Sequence, residues 1–218
     1  MRLRSRDAPT GQQMTSARKK PPASRARTAI ELVATVAVAI GLALLIQATL
    51  VKPYRIPSLS MWPTLEKGQR ILVNRLATHP GVGEVVVFHP PASADAEICG
   101  NPAQGPGHQA PCDHATPAES SETFVKRVVG LPGDQLRIVN GRVWRNGVQE
   151  QGSYIQPCPI AQVCTFSKTI TVPAGEYYMM GDNRGDSDDS RFWGPIPQKW
   201  IIGEAFFTYW PIDRIGTL

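Results

Sequence analysis

Residues 29–51 (AIELVATVAVAIGLALLIQATLV) form a 23-residue run in which Glu31 and Gln47 are the only charged or amide side chains. As a helix this run would be about 34 Å long, enough to cross the roughly 30 Å hydrocarbon core of a bilayer. A buried core helix or a cleaved leader is the alternative. A cleaved leader has a shorter apolar region, about 7–15 residues, followed by small residues at the cut, and Lys52-Pro53-Tyr54 offers no such site. The expectation is an uncleaved transmembrane anchor over 29–51. Residues 1–28 carry eight Arg or Lys against Asp7 alone, whereas the whole chain nets +5, so the basicity belongs to the tail. This polar tail without periodicity is expected to be disordered and cytoplasmic by the positive-inside rule, with residues 52–218 on the other side. A basic topology determinant of this kind is no argument for nucleic acid as a partner.

The remainder suits one globular domain. Twenty Pro and 19 Gly in 218 residues favour strands and turns over long helices. Short β-branched or aromatic runs bounded by turn residues predict strands at 70–74, 84–88, 123–129, 135–139, 142–145, from 148, 167–172, 176–180 and 201–210. Asn140-Gly141 and Asn146-Gly147 fall at joins between them, and Asn-Gly favours tight hairpins because both central residues of a type I′ turn need positive φ. Residues 90–122 are poor in bulky apolar side chains and read as a long surface loop. Proline at 53 breaks the helical run. Ser60 lies nine residues past Val51, which keeps it within about 30 Å of the span's end however extended the chain is.

All four cysteines, Cys99, Cys112, Cys158 and Cys164, fall in the part placed outside the cytoplasm, where disulfides form and persist. Three pairings are open, and the nearest-neighbour set, Cys99–Cys112 with Cys158–Cys164, closes two short loops. Cys99, His108, Cys112 and His114 could also suggest zinc, but their spacing matches no common ligand pattern, and no metal is expected.

The proline-bracketed turn Ile56-Pro57-Ser58-Leu59-Ser60-Met61-Trp62-Pro63-Thr64-Leu65 offers two hydroxyls. A serine becomes a nucleophile only where a base removes its proton and donors await the oxyanion. The histidine candidates are His79, His89, His108 and His114, the last two in the low-complexity loop. The lysine candidate is Lys126, inside Phe124-Val125-Lys126-Arg127-Val128-Val129. Among apolar neighbours an ammonium loses hydration, its pKa falls, and the neutral amine can act as a base. An edge-strand lysine pointing to solvent is the plainer alternative.

Four segments now make the reading specific: Pro57 to Leu65; Gly83-Glu84-Val85-Val86-Val87-Phe88-His89-Pro90; Lys126-Arg127-Val128-Val129-Gly130-Leu131-Pro132-Gly133-Asp134; and Gly181-Asp182-Asn183-Arg184-Gly185-Asp186-Ser187-Asp188-Asp189-Ser190-Arg191. In this order, behind an apolar span, they resemble the sequence boxes of bacterial type I signal peptidases, also called leader peptidases. The resemblance implies a mostly β fold, a coiled, barrel-like antiparallel sheet with a hairpin-rich subdomain on one N-terminal membrane helix. It implies Ser60 as nucleophile and Lys126 as general base, with Ser58 and the Ser60 backbone N–H forming the oxyanion hole. Ser187 corresponds to the serine that orients the lysine, Asp189 and Arg191 to a supporting pair, and Asp182 to a further acidic position. Gly185-Asp186 departs from the family's commoner Asp-Asn, leaving Ser187 and Asp189 in register. Arg184-Gly185-Asp186 matches the integrin tripeptide by chance, and the aspartates here lack the spacing of a calcium loop.

The expected activity is therefore cleavage of N-terminal signal peptides from exported preproteins after an Ala-x-Ala-like site. Signal peptides, the lipid bilayer and the secretion translocon are the partners implied, with no cofactor and no nucleic acid. The implied location is the bacterial cytoplasmic membrane, with the catalytic domain on its extracytoplasmic side. Two other readings stay open on the residues alone: a narrow-specificity maturation peptidase of the same superfamily, and a membrane-tethered binding domain without catalysis.

Overall fold

The computed structural model describes residues 25–218. The polar tail expected to be disordered therefore lies, up to residue 24, outside the described residues. The contacts divide the chain into two units, residues 1–43 and 44–218. Helix α1 (Arg25–Thr49) begins in the first, where Ile30, Leu32 and Val33 are each more than half exposed. It is the one helix among the described residues long and apolar enough to cross a membrane.

Helix α1 ends before the apolar run does. Leu50 N–H still donates to Ile46 O at 2.8 Å, but Leu50 O accepts from Arg75 N–H at 2.9 Å. From Val51 the chain is strand β1 (Val51–Arg55), paired antiparallel along its whole length with β2 (Arg70–Asn74). Val51 thus belongs to the sheet, and Lys52 to Arg55 are not a slack tether. Pro53 is tolerated because β1 is an edge strand, where a missing N–H need not break a ladder.

Strands β3 (Val85–Phe88), β4 (Phe124–Gly130), β5 (Gln135–Val139), β6 (Arg142–Arg145) and β7 (Val148–Gln149) follow, then the short helix α2 (Ala161–Cys164), β8 (Ile170–Thr171) and β9 (Glu176–Met180). Helix α3 (Ser190–Trp193), β10 (Ile196–Pro197), β11 (Ile201–Trp210) and β12 (Gly216–Thr217) complete the chain. The larger sheet has the order β1-β2-β11-β3-β4-β9-β10, with β12 on β11; the smaller is β7-β6-β5-β8. All named pairings are antiparallel. Strand β11 shifts register against β2 and β3 three times, and such bulges bend a strand and increase its twist, which curls the large sheet into a half-barrel. In the small sheet, Asn140, Gly141, Asn146 and Gly147 all have positive φ, as the hairpin reading required.

Alternation along the central strands explains the core. In β3, Val86 and Phe88 join one apolar cluster while Val85 and Val87 join another. In β9, Tyr177 and Met179 share the cluster of Val86, whereas Tyr178 and Met180 face Leu136, Ile138 and Val143 of the small sheet. Successive side chains on a strand point to opposite faces, so the middle of the large sheet is covered on both sides. The 90–122 segment is less superficial than its composition suggests. Ala94, Ala110 and Cys112 are buried, Cys112 N–H donates to Arg191 O at 3.1 Å, and a Cys99–Cys112 disulfide closes the loop. Small side chains here allow close packing against backbone: a Cβ on Gly194 would stand 2.6 Å from His114 and Ala115 main-chain atoms. A second disulfide joins Cys158 to Cys164.

Candidate active site

The turn after β1 is anchored before it presents anything. Ile56 N–H donates to Gln69 O and Gly68 N–H to Ile56 O, both at 2.8 Å, while Ile56, Met61 and Leu65 sink into the cluster beneath β2 and β3. The intervening residues are thereby held on the surface of that cluster. Ser60 is 8% exposed, and Ser58 Oγ donates to Ser60 Oγ at 3.2 Å. Among the described residues no atom accepts the Ser60 N–H, which is free to donate to an oxyanion; the Ser58 hydroxyl can join it by turning from Ser60 Oγ.

The other side of Ser60 is fixed by the segment after β9. Asn183 N–H donates to Ser60 O at 3.0 Å, and the Asn183 side chain donates to Leu59 O at 3.3 Å. Gly181 lies so close that a Cβ there would overlap Ser187 Oγ and Ser60 O. Only glycine lets the two segments meet at this distance.

Lys126 reaches the same place from β4, paired opposite Val86 of β3. With Ile56, Pro57, Ser58, Ser60, Met61, Phe124, Asp186 and Asp188 it lines a cavity of about 300 Å³. Its side chain is 4% exposed, and among the described residues Nζ has no hydrogen-bond partner, only the Phe124 ring 5.7 Å away. Burial removes hydration from the ammonium and lowers its pKa from 10.5 to about 8, against the opposing pull of Asp189, Asp188 and Asp186. The neutral amine, the form a proton acceptor needs, is thus accessible at mildly alkaline pH instead of only above about pH 10.

The supporting residues fall into two groups. Asp189 caps α3, accepting Arg191 N–H at 3.2 Å and the Arg191 guanidinium through Nε at 2.7 Å and Nη2 at 2.9 Å; it also accepts Gly181 N–H at 3.1 Å. Burial pushes the Asp189 carboxyl up, but the charge and hydrogen bonds of Arg191 outweigh this and hold it below the ordinary carboxylate range. Ser187 Oγ is buried beside Gly181 and has no partner among the described residues. Asp182 turns away from the lysine. It accepts Arg127 Nε at 2.8 Å and Nη2 at 2.6 Å, and Thr64 Oγ1 donates to it. The Arg127 guanidinium also lies 4.0 Å from the Tyr154 ring centre and donates to Gly83 O. This network ties the Ser60 turn, through Thr64, to β4 and to the segment after β9.

Sequence reasoning passed over Thr64, Arg127, Tyr154 and Asp188. Thr64 and Arg127 stood inside the quoted boxes and could have been weighed as polar side chains among apolar ones; Tyr154 carried no local signal. The Cys158–Cys164 disulfide takes part as well, because Cys158 Sγ lies 3.3 Å from Arg184 O and 3.9 Å from Arg191 Nη1. With Cys99 and Cys112 joined to one another, neither thiolate is available to a metal, and the described residues hold no His/Cys/Asp/Glu group arranged for one.

A hydroxyl pair, a buried unpaired amine and preformed donors in one cavity are the parts of an acyl-transfer site. A family model described as signal peptidase, peptidase S26, matches residues 29–210. The chain belongs to this family. Two signal peptidase relatives support it over most of their length, and a processing peptidase over about half. A probable signal peptidase I-1 of Synechocystis sp. is 38% identical, the match covering 83% of this chain and 82% of that protein. A signal peptidase I of Leptolyngbya laminosa is 34% identical over 97% of this chain and 95% of its own. Thylakoidal processing peptidase 1, chloroplastic, of Arabidopsis thaliana is 31% identical over 82% of this chain and 47% of that protein. The chain is accordingly an enzyme, a serine peptidase of the signal peptidase I kind.

Proposed function

We propose that this signal peptidase cuts exported preproteins after an Ala-x-Ala-like site, with Ser60 as nucleophile and Lys126 as general base. The observation that carries the reading is the buried amine of Lys126, without a hydrogen-bond partner among the described residues, in the cavity that also holds Ser58 and Ser60. Neutral Lys126 takes the Ser60 hydroxyl proton while Oγ bonds to the scissile carbonyl carbon, and the carbonyl π pair moves onto oxygen. The Ser58 hydroxyl and the Ser60 N–H donate to that oxyanion. The Lys126 ammonium then gives its proton to the leaving amine as the C–N bond breaks. Water, activated by the same amine, hydrolyses the acyl-enzyme. Ser187 orients the lysine, and the Asp189–Arg191 pair supports the segment that carries Ser187. The cavity, at about 300 Å³ with Ile56, Pro57 and Met61 in its wall, suits small apolar side chains before the cut.

Helix α1 supplies the anchor in this reading, since its apolar side chains are exposed among the described residues and a bilayer would cover them. The basic tail faces the cytoplasm and the β domain acts outside, at a bacterial cytoplasmic membrane or an equivalent energy-transducing one, close to the translocon that delivers substrate. Cleavage of a purified preprotein by the wild type, Ser60→Ala and Lys126→Ala tests the chemistry: both variants should lose at least about a thousandfold in turnover. Near-wild-type rates in either would remove the dyad.

A further inference from the structure

Resting on the Ser60–Lys126 reading, the geometry points to a further positioning residue. We infer that Asp188 stands in the cavity as the counter-charge for the Lys126 ammonium, the cation created when the lysine takes the proton of Ser60.

Every other carboxylate near the amine is engaged or wet. Asp189 is held by the Arg191 guanidinium and by two backbone N–H groups. Asp182 is held by Arg127 and Thr64. Asp186 and Glu122 line the cavity too, but both are exposed, where water screens their charge. Asp188 is different. It lines the cavity with Lys126, and its buried Oδ1 has no full hydrogen bond among the described residues. The buried Trp193 indole Nε1 is near enough to favour the carboxylate but short of a full hydrogen bond to it. A carboxylate outside any ion pair and an amine with no acceptor, among the described residues, thus line the same cavity.

Their chemistry is complementary in time. At rest the amine must be neutral, and a fixed anion beside it works against that. Once the proton arrives, an ammonium in a water-poor cavity needs an opposite charge already in position. Asp188 meets the second need: where Lys126 is neutral it is already an anion, and its cost to the first need is a raised lysine pKa. Burial first, then repulsion by Asp189 and Glu97, raises its pKa from 3.8 to about 7, against the pull of Lys126 and the Trp193 N–H. The groups facing Lys126 are Asp189, Asp188, Asp186 and Arg191 from the segment after β9, with Glu122 and the two serine hydroxyls on the cavity wall. In the reaction the proton stays on the Ser60 Oγ–Lys126 Nζ–leaving nitrogen path throughout; Asp188 takes no proton from substrate and forms no bond to it. The Asp188 carboxylate and the Lys126 ammonium each shift the other, so the acid limb of the rate profile responds to both.

The test is kcat and kcat/KM on a preprotein with an Ala-x-Ala site from pH 6 to 10, for wild type, Asp188→Asn, Asp188→Glu and Lys126→Ala. Removing the charge should move the acid limb of kcat/KM down by about half a pH unit or more, because an anion that raised the lysine pKa is gone. The plateau kcat should fall several-fold with KM little changed, and Asp188→Glu should return both towards wild type. An acid limb left in place, or an undiminished plateau, in Asp188→Asn overturns the assignment. If that variant does not fold, Asp188→Ser carries the same comparison. Substantial turnover by Lys126→Ala would instead overturn the dyad itself, which separates the two failures.

Discussion

Lys126 and Arg127 are consecutive residues of β4 and deliver their cations to opposite faces: Lys126 enters the Ser60 cavity without a hydrogen-bond partner, while Arg127 grips Asp182 through Nε and Nη2. The period of two along a strand makes this possible without any turn or bulge between them. One cation is buried with no carboxylate bonded to it among the described residues, so lost hydration outweighs the pull of the nearby aspartates and drives it towards neutrality. The other is buried with a bidentate carboxylate, so it stays charged and braces the segment that fixes Ser60. The same covering sheet supplies both environments.

The activity should follow the free amine. With Lys126 lowered to about 8 by burial, kcat/KM should rise through roughly pH 7–9 and level off above. The sign is set by the base: protonated lysine cannot accept the Ser60 proton, so activity falls as pH drops. A profile that keeps climbing past pH 10 would show a solvated lysine and defeat the dry-cavity account.

Keeping Lys126 buried should cost stability. Its folded pKa is lower than its unfolded one, so between about 8 and 10.5 the unfolded chain binds more protons and stability rises with pH across that window. Below pH 8 the full penalty applies, roughly 3 kcal/mol for a shift of this size. Lys126→Met should therefore raise the melting temperature at pH 7 and narrow the gap to wild type at pH 10. An equal or lower melting temperature at pH 7 would count against the desolvation argument.

Much of the fold was written locally. The runs at 70–74, 135–139, 142–145, 176–180 and 201–210 coincide with β2, β5, β6, β9 and β11, because each combines apolar alternation with Gly, Pro or Asn at its ends. Strand β1 was hidden: Val51 continues the apolar pattern of the helix, and Pro53 argues against a strand until it is known to lie on an edge. Ser60, Lys126 and the Asp189–Arg191 pair could be found from ordered motifs. Tyr154 against Arg127, and Asp188 against Trp193, depend on side chains brought together from distant segments or turned inward by α3, and no spacing rule encodes either contact.

The Arg127–Asp182 pair should matter most when broken on one side. Asp182→Ala leaves a guanidinium in the interior without its carboxylate, and losing one partner of a buried pair costs about 3–5 kcal/mol. Arg127→Lys keeps the charge but cannot reproduce the two parallel hydrogen bonds or the stacking on Tyr154, so it should also lower stability, by less. Chemical denaturation of the two variants would check the order; a silent Asp182→Ala would mean that the pair is screened by water.

Gly181→Ala should disable the enzyme through geometry alone. A methyl at this position would overlap Ser60 O and Ser187 Oγ, and the backbone atom cannot move without displacing the Ser60 turn. Loss of turnover by at least an order of magnitude, with circular dichroism close to wild type, is the expected result. Wild-type turnover would mean that the Ser60 turn has more freedom than its hydrogen bonds to Asn183 allow.

Ser187→Ala separates positioning from structure. In the resting protein Ser187 Oγ is buried and unbonded, so removing it forfeits no hydrogen bond and relieves an unsatisfied polar atom. Stability should be unchanged or slightly higher. If the hydroxyl bonds Lys126 only as the reaction proceeds, kcat should still drop, by about tenfold or more, with little change in KM. A variant that is destabilised but catalytically normal would reverse the assignment, giving Ser187 a place in the packing and none in orienting the base.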